Sequence, residues 1–405
     1  MYLGEKEYIC VKERVYMLKT NVGSSTNADA FLSGTEAAQK ARVGLDNPKL
    51  ALLYSSVDYA DQKEVVKGVN AIFPGVPVIG CTSFTGIITN EGYISGEKGF
   101  SGVMAFDDTD LTVGVASSKK QNDARETGRI VAKKAMENAG RDDEPEYFYM
   151  VCAPGEEEYY LKGIEDVIGR VPFFGGSAAD NTIEGKWQMF TSEEVFAEGV
   201  GVAFFYTDKK MANVFSGVYK ETNNVGIITK VKDNRQLMEI DGVPALKKYA
   251  EWTNQNPDDL MGGNLLSATI TAPLGVKDRL GDLVAIRHPM GGNSDYSMNV
   301  GNKLAEHTAV IQMEASIDEL IDSVRPTLVE TQEKLQKPAG YLLVHCGGRR
   351  AGIGERITEV YDRLKAIAGD VPFMTIFTFG EYGHVEDGMN TCGGLMLSFT
   401  GFEQE

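Results

Sequence analysis

Five cysteines are the most reactive side chains in this 405-residue sequence, and their spacing limits the chemistry they can do. They lie far apart at irregular intervals, without a CxxC pair, at Cys10, Cys81, Cys152, Cys346 and Cys392. An odd number of isolated thiols in a chain of this length favours reduced cysteines over a disulfide framework. We therefore expect a cytoplasmic protein.

Cys346 is the strongest candidate for a nucleophile. His345, Arg349 and Arg350 are close to it in sequence, and cationic neighbours lower the pKa of a thiol. A thiol inside an apolar strand is usually only a small hydrophobic residue, so no residue is assigned as catalytic. A hydrolase or transferase with Cys346 or Cys81 as nucleophile is the alternative function. His345 could act as its base only if the strand has ended there, because neighbouring strand residues face opposite sides.

The histidines and glycines match no cofactor motif. The four histidines, His288, His307, His345 and His384, share no metal-ligand spacing, so no metal site is predicted. One histidine could still be the axial ligand of a haem, which makes a haem-binding gas sensor a further alternative. No other cofactor is expected, because no glycine pair stands in a dinucleotide or P-loop motif.

Glycines and small polar residues follow apolar runs at three places, which read GCTS, GGS and TFGE. Glycine lets a ligand approach the backbone closely, and hydroxyl, thiol and N–H groups can hydrogen-bond a small polar molecule. Ligands of α/β sheets usually bind at strand ends of this kind. The predicted ligand-binding residues are Gly80, Cys81, Thr82, Ser83, Cys152, Gly176, Ser177, His345, Cys346, Arg349, Gly380 and Glu381.

These residues belong to a module that occurs three times. In each copy a strand, an amphipathic helix, a Val-Pro pair and a second strand are followed by a glycine-rich hairpin and a final strand. The proline can open a strand because the first residue need not donate to the ladder. The Val-Pro pairs lie at residues 76–77, 171–172 and 371–372.

The spacing of the modules predicts an α/β fold (mixed α+β) with mixed sheets and helices packed on the sheet faces. Modules one and two form a domain at 1–206. A β-rich insert at 207–306 and the third module at 307–405 form the second domain. The stretch 307–316 is expected to be the first strand of the third module, and the ligand pocket is expected between the domains.

Charge excludes two classes of partner. The net charge is −18, and acidic and basic residues are interleaved, which argues against nucleic acid and anionic membranes because both are negative. The N-terminus carries charges where a signal peptide would need an apolar core. We expect no membrane anchor.

Several segments resemble the FIST domain proteins, in which an N-terminal FIST domain precedes a C-terminal one. The similar segments read PVIGCTSFTGII (77–88), PFFGGSAADN (172–181), LMEIDGVPALKKYAEW (237–252), VHCGGRR (344–350) and FTFGEYG (377–383). The similarity extends over residues 20 to 400. The family tends towards a Gly-Glu pair after Gly-Cys, which the first loop lacks and Gly380-Glu381 retains.

The resemblance implies a prokaryotic sensory domain. Such a domain would bind a small ligand, such as an amino acid or a derivative, for signal transduction. Some relatives are fused to signalling output domains, for which this chain is expected to have no room, so the protein would act alone or through a separate signalling protein.

Overall fold

The computed structural model describes residues 17–277, 284–385 and 389–405. Cys10 lies outside the described residues. The first module follows the order predicted from the sequence. Its elements are β1 (Lys19–Ser25), α1 (Ala30–Ala41), β2 (Pro48–Ser55), α2 (Gln62–Ile72), β3 (Val78–Thr82), β4 (Ile87–Thr89), β5 (Gly92–Ile94) and β6 (Ser101–Asp107).

The second module has the same order of elements. They are β7 (Thr112–Lys119), α3 (Ala124–Ala139), β8 (Tyr147–Cys152), α4 (Glu157–Ile168), β9 (Phe173–Ser177), β10 (Met189–Thr191), β11 (Val195–Phe196) and β12 (Gly199–Tyr206).

The third module opens with a strand and is then interrupted by the insert. The opening strand is β13 (Met211–Ser216). The insert consists of β14 (Lys220–Lys232), β15 (Gln236–Ile240), β16 (Val243–Pro244), α5 (Ala245–Thr253), α6 (Asn264–Thr269), β17 (Leu274–Lys277), β18 (Val284–Arg287), β19 (Pro289–Gly292), β20 (Met298–Val300) and β21 (Ala309–Glu314).

The rest of the third module again follows the repeated order. Its elements are α7 (Ile317–Asp322), α8 (Val324–Glu333), β22 (Pro338–Cys346), α9 (Gly347–Ile353), α10 (Ile357–Ala368), β23 (Phe373–Thr378), β24 (Glu381–Gly383), β25 (Thr391–Gly393) and β26 (Leu397–Glu403).

Local sequence explains where the helices begin and end. Asp29, Asp61 and Asp123 accept hydrogen bonds from backbone N–H groups in the first turns of α1, α2 and α3, which satisfies donors that have no partner within the helix. Gly169 and Gly369 follow α4 and α10 with φ of 71° and 58°, a backbone conformation that glycine adopts without steric cost. Val-Pro then opens the next strand.

Each module contributes four strands to its own six-stranded sheet and lends a hairpin to another. The orders are β1-β6-β2-β3-β10-β11, β7-β12-β8-β9-β24-β25 and β13-β26-β22-β23-β4-β5. Module two therefore completes the sheet of module one, module three that of module two, and module one that of module three. The three sheets form a closed ring, and the insert has an eight-stranded sheet of its own.

A core shared by all three modules lies between the three sheets. Tyr54, Tyr149 and Val344 come from different modules and pack in the same fully buried cluster. Burying an aliphatic side chain such as that of Val344 contributes about 1.5–3 kcal/mol. The helices cover the outer faces of the sheets: α1 and α2, α3 and α4, and α7, α8 and α10 each pack in a separate cluster.

The structure differs from the sequence expectation in where the third module begins. Residues 307–316 contain β21, which pairs with β14 and β17 in the sheet of the insert. The edge strand equivalent to β1 and β7 is β13, which pairs with β26. An alternating apolar pattern is typical of any half-buried strand. The sequence pattern therefore does not distinguish β21 from β13, and only their partner strands show which one belongs to the third module.

Among the described residues, no helix has both the length and the apolar composition needed to cross a membrane.

Candidate functional site

The second strands of the three modules end at one place and exchange backbone hydrogen bonds around the ring. Phe84 N donates to Phe377 O at 2.9 Å, Ala179 N to Thr82 O at 3.0 Å, and Ser177 N to Gly380 O at 2.9 Å. The predicted ligand-binding residues from different modules are therefore neighbours in space.

A directed chain of buried hydrogen bonds lies at the strand ends of module two. The Ser177 hydroxyl donates to Glu157 Oε1 at 3.1 Å, so it must accept from the Tyr382 hydroxyl, 2.6 Å away. Tyr382 then accepts from the Cys152 thiol at 2.9 Å. Aligned donors polarise one another, and the chain points toward the Glu157 carboxylate.

Arg235 connects this chain to the insert. Its Nη2 lies 2.7 Å from Glu157 Oε2 and 2.6 Å from Glu158 Oε2. Burial raises the pKa of Glu157, and the charge of Arg235 opposes that rise. The backbone N–H of Lys303 in the insert donates to Glu158 Oε1 at 2.9 Å. Module two and the insert are thus joined through the first turn of α4.

A second polar group lies beside β24, in module three. Glu381 accepts from Thr378 Oγ1 at 3.1 Å and from Met396 N at 3.0 Å, and burial raises its pKa to about 8. The Cys346 sulfur accepts from the N–H groups of Gly348 at 3.3 Å and Leu395 at 3.2 Å.

The two groups are joined by the backbone. Glu381 pairs with Gly176 across β24 and β9. A Cβ atom added at Gly380 would lie 2.7 Å from Ser177 Oγ, so only glycine allows these segments to pack this closely. Six of the predicted residues meet at this junction: Cys152, Gly176, Ser177, Cys346, Gly380 and Glu381.

Arg349 and His345 lie next to the second group, and both are fully buried. Arg349 Nη2 donates to Leu320 O at 2.8 Å and to Ser323 Oγ. His345 Nδ1 lies 3.1 Å from the carbonyl oxygen of Cys346.

The first-module residues are close to this junction but serve packing and turn structure. Cys81 packs in the core between the sheets, and a Cβ at Gly80 would collide with Leu53 O. Thr82 Oγ1 accepts from Gln188 N at 3.0 Å. Ser83 Oγ donates to the carbonyl oxygen of Gly86 at 2.8 Å and accepts from Phe377 N at 3.0 Å.

The junction is closely packed in this conformation. Ser177, His345, Arg349 and Glu381 have no exposed surface. Surface clefts of about 440 to 810 Å³ are lined by other residues; the largest lies near Val76, Lys134 and Glu194. The ligand-binding role of the twelve residues stays a prediction.

Burial keeps the thiols protonated. It raises the pKa of Cys81, Cys152 and Cys346, and the charge of Glu381 raises that of Cys346 further. The thiolate is the nucleophilic form, and burial disfavours it at these cysteines in this conformation. The described residues contain no group of three or more His, Cys, Asp or Glu side chains placed to hold a metal ion.

The sequence reasoning missed three members of the junction: Glu157, Arg235 and Tyr382. Glu157 lies a few residues after Cys152, and Tyr382 lies next to Glu381. Because both follow strand ends that the sequence indicates, their positions could have identified them as site residues. Arg235 has no such signal, because its contact with Glu157 spans 78 residues of sequence.

Comparison with protein-family models shows to which family the chain belongs. The FIST N domain model matches residues 49–243 and the FIST C domain model matches residues 245–384. The chain belongs to the FIST family. FIST domains are sensory domains that bind small ligands. In this FIST protein, the boundary between the two matches lies between β15 and α5, within the insert.

Solved structures resemble this FIST protein only weakly. Cyanuric acid hydrolase from A. caulinodans is 9% identical over 95% of this chain and 99% of its own, with a TM-score of 0.35. Phosphoribosylformylglycinamidine synthase II from Thermotoga maritima is 11% identical over 96% and 72%, with a TM-score of 0.22. At these scores neither supports a statement about activity. A search of curated proteins finds no match.

Proposed function

We propose that this FIST protein senses a small polar molecule, such as an amino acid or a derivative, at the junction of modules two and three. The observation that carries the proposal is the meeting of Ser177, Glu381 and Arg235, which come from module two, module three and the insert. A ligand at this junction would touch three parts of the molecule at once.

The signal would pass through the insert. Arg235 holds Glu157, which accepts from Ser177, so a ligand that takes the place of either hydrogen bond alters the contact between insert and module two. Such a ligand shifts the protein toward whichever arrangement it binds more tightly. A separate signalling protein would read the change. Four free, buried cysteines among the described residues support action in the reducing cytoplasm.

Thermal-shift screening against the twenty amino acids and small carboxylates tests the proposal. A ligand that binds only the native form raises the melting temperature, by an amount that grows with its concentration. Ser177→Ala should abolish the shift, because the variant loses the hydroxyl that links Tyr382 to Glu157.

Ser117→Ala is the matched control. Its hydroxyl bonds Glu194 at 2.7 Å, outside the junction, so this variant should keep the shift. A panel without any stabilising compound would refute the proposed function. A full shift in Ser177→Ala would place the ligand elsewhere.

The alternative with a cysteine nucleophile finds no support in the geometry. The Cys346 sulfur accepts from two backbone N–H groups, and the nearby Glu381 carboxyl raises the pKa of the thiol instead of lowering it. His345 donates from Nδ1 to a carbonyl oxygen, and its Nε2 has no hydrogen-bond partner among the described residues, so neither ring nitrogen is hydrogen-bonded to the thiol.

A further inference from the structure

Arg349 is a fully buried cation whose charge is not paired. Nη2 donates to Leu320 O and Ser323 Oγ. Nε and Nη1 have no hydrogen-bond partner among the described residues. Buried charges in proteins are normally paired, because removing them from water is costly. Arg349 therefore offers a positive charge and free N–H donors to a group from outside the chain.

Glu381 does not neutralise this charge. It lies near enough to interact with Arg349 electrostatically, but its two oxygens accept from Thr378 and Met396. Burial raises the pKa of Glu381 to about 8, so the protonated, neutral form predominates at pH 7.

His345 offers a free acceptor beside Arg349. A carbonyl oxygen can only accept, so Nδ1, 3.1 Å from Cys346 O, carries the proton. Burial first, and then the charge of Arg349, lower the pKa of His345, and the ring is neutral. Its Nε2 is therefore an acceptor, and it is buried without a hydrogen-bond partner in the described parts of the chain.

We propose that Arg349 and His345 recognise the ligand, and that the ligand is a small carboxylate with a hydrogen-bond donor beside it: an α-amino acid or a 2-hydroxy acid. The inference rests on the proposed function. It restricts the class of ligand from small polar molecules to small anionic ones. The carboxylate accepts from the free donors of Arg349, and the amino or hydroxyl group donates to His345 Nε2.

Entry of the ligand requires a local opening, since neither side chain is exposed. The insert covers this region: a Cβ at Gly352 would lie 2.6 Å from Ile270, and one at Gly348 would lie 3.2 Å from His288. Movement of the insert away from α9 would expose Arg349. The recognition site and the part of the molecule that would signal are therefore in contact.

Titration calorimetry of the full chain with matched probes tests the proposal. The first set of probes is L-alanine, L-lactate, propionate and L-alaninamide. The second set has the side chain of leucine and consists of the same four classes: amino acid, 2-hydroxy acid, plain acid and amino-acid amide. We expect L-amino or L-hydroxy acids to bind at least about tenfold more tightly than the amide, which lacks the anion, and than the plain acid, which lacks the donor.

Two outcomes overturn different statements. If the amide binds as tightly as the acid, the anionic class is wrong and the proposed function stands. If no probe binds and the amino-acid screen also finds nothing, the proposed function fails as well.

Variants of Arg349 assign the recognition to this residue. Arg349→Met should remove the preference for acid over amide, whereas Arg349→Lys should keep part of it because it retains the charge. Ser323→Ala removes one partner of Nη2 but keeps the guanidinium, so it covers the case in which Arg349→Met does not fold. If Arg349→Met keeps the preference for acid over amide, the role of Arg349 is contradicted. The same holds if Ser323→Ala binds the acid as tightly as the parent protein does.

Discussion

At the scale of single residues, two buried carboxylates differ because of their partners. Glu157 lies opposite Arg235 and also accepts hydrogen bonds from Ser177 Oγ and Gly155 N. Glu381 accepts from one hydroxyl and one backbone N–H, and it interacts further with the Cys346 thiol and with the charge of Arg349. Neutral partners compensate less for lost hydration than an ion-paired cation does, and burial raises the pKa of Glu381 to about 8, so its protonation changes near neutral pH.

The first prediction concerns the pH dependence of stability. Glu381 titrates at about 8 in the native state, against an ordinary value of 4.5. Between these values the native state binds more protons than the unfolded state, so stability falls as pH rises. We expect the parent protein to lose up to about 1.4 kcal/mol per pH unit relative to Glu381→Gln between about pH 5 and 8.

Urea unfolding at several pH values measures this difference. Glu97→Gln, at an exposed position, is the control and should follow the parent protein. Parallel stability curves for the parent protein and Glu381→Gln would contradict the assignment of this titration to Glu381.

At the scale of elements, the helices of each module approach closely through glycines. A Cβ at Gly163 in α4 would lie 1.9 Å from Arg125 O in α3, and a Cβ at Gly68 in α2 would lie 2.2 Å from Phe31 O in α1. The same device recurs in modules one and two. It lets two helices lie side by side on one sheet face.

The second prediction follows from this contact. Gly163→Ala would normally favour a helix, but here the methyl group forces α3 and α4 apart. We expect a loss of about 1–3 kcal/mol in the free energy of unfolding, measured by urea denaturation. Gly263→Ala is the control, since nothing lies within 4 Å of its Cβ and its φ of −70° suits alanine. Equal stability of the two variants would refute the packing argument.

At the scale of the whole molecule, the lent hairpins make the three modules depend on one another. Without the β24–β25 hairpin of module three, the β9 edge of module two would be unpaired, and an open sheet edge is prone to aggregation. The core between the sheets contains side chains of all three modules. No module has a complete sheet or core on its own.

The third prediction is that the ring unfolds as one unit. Native-state hydrogen exchange should give opening free energies for the central strands β2, β8 and β22 that agree within about 1 kcal/mol, because their amides exchange only through a shared unfolding event. A markedly lower value for one strand would show that its module opens independently.

The sequence by itself determined the repeated order of strands and helices. Apolar periodicity, helix-ending glycines such as Gly169 and strand-opening prolines act over a few residues, so their meaning does not depend on distant contacts. The family motifs are likewise short segments. The small polar residues at the strand ends were recognised for the same reason.

Only the tertiary structure decided which strands pair and which side chains meet. The hairpin exchange, the assignment of β13 to the third module, and the contact of Arg235 with Glu157 all join residues far apart in sequence. It also decided that Cys81 faces the core, and that Nε and Nη1 of Arg349 have no partner within residues 17–277, 284–385 and 389–405. Long-range pairing depends on shape and burial of the complete fold, and local propensity carries no information about either.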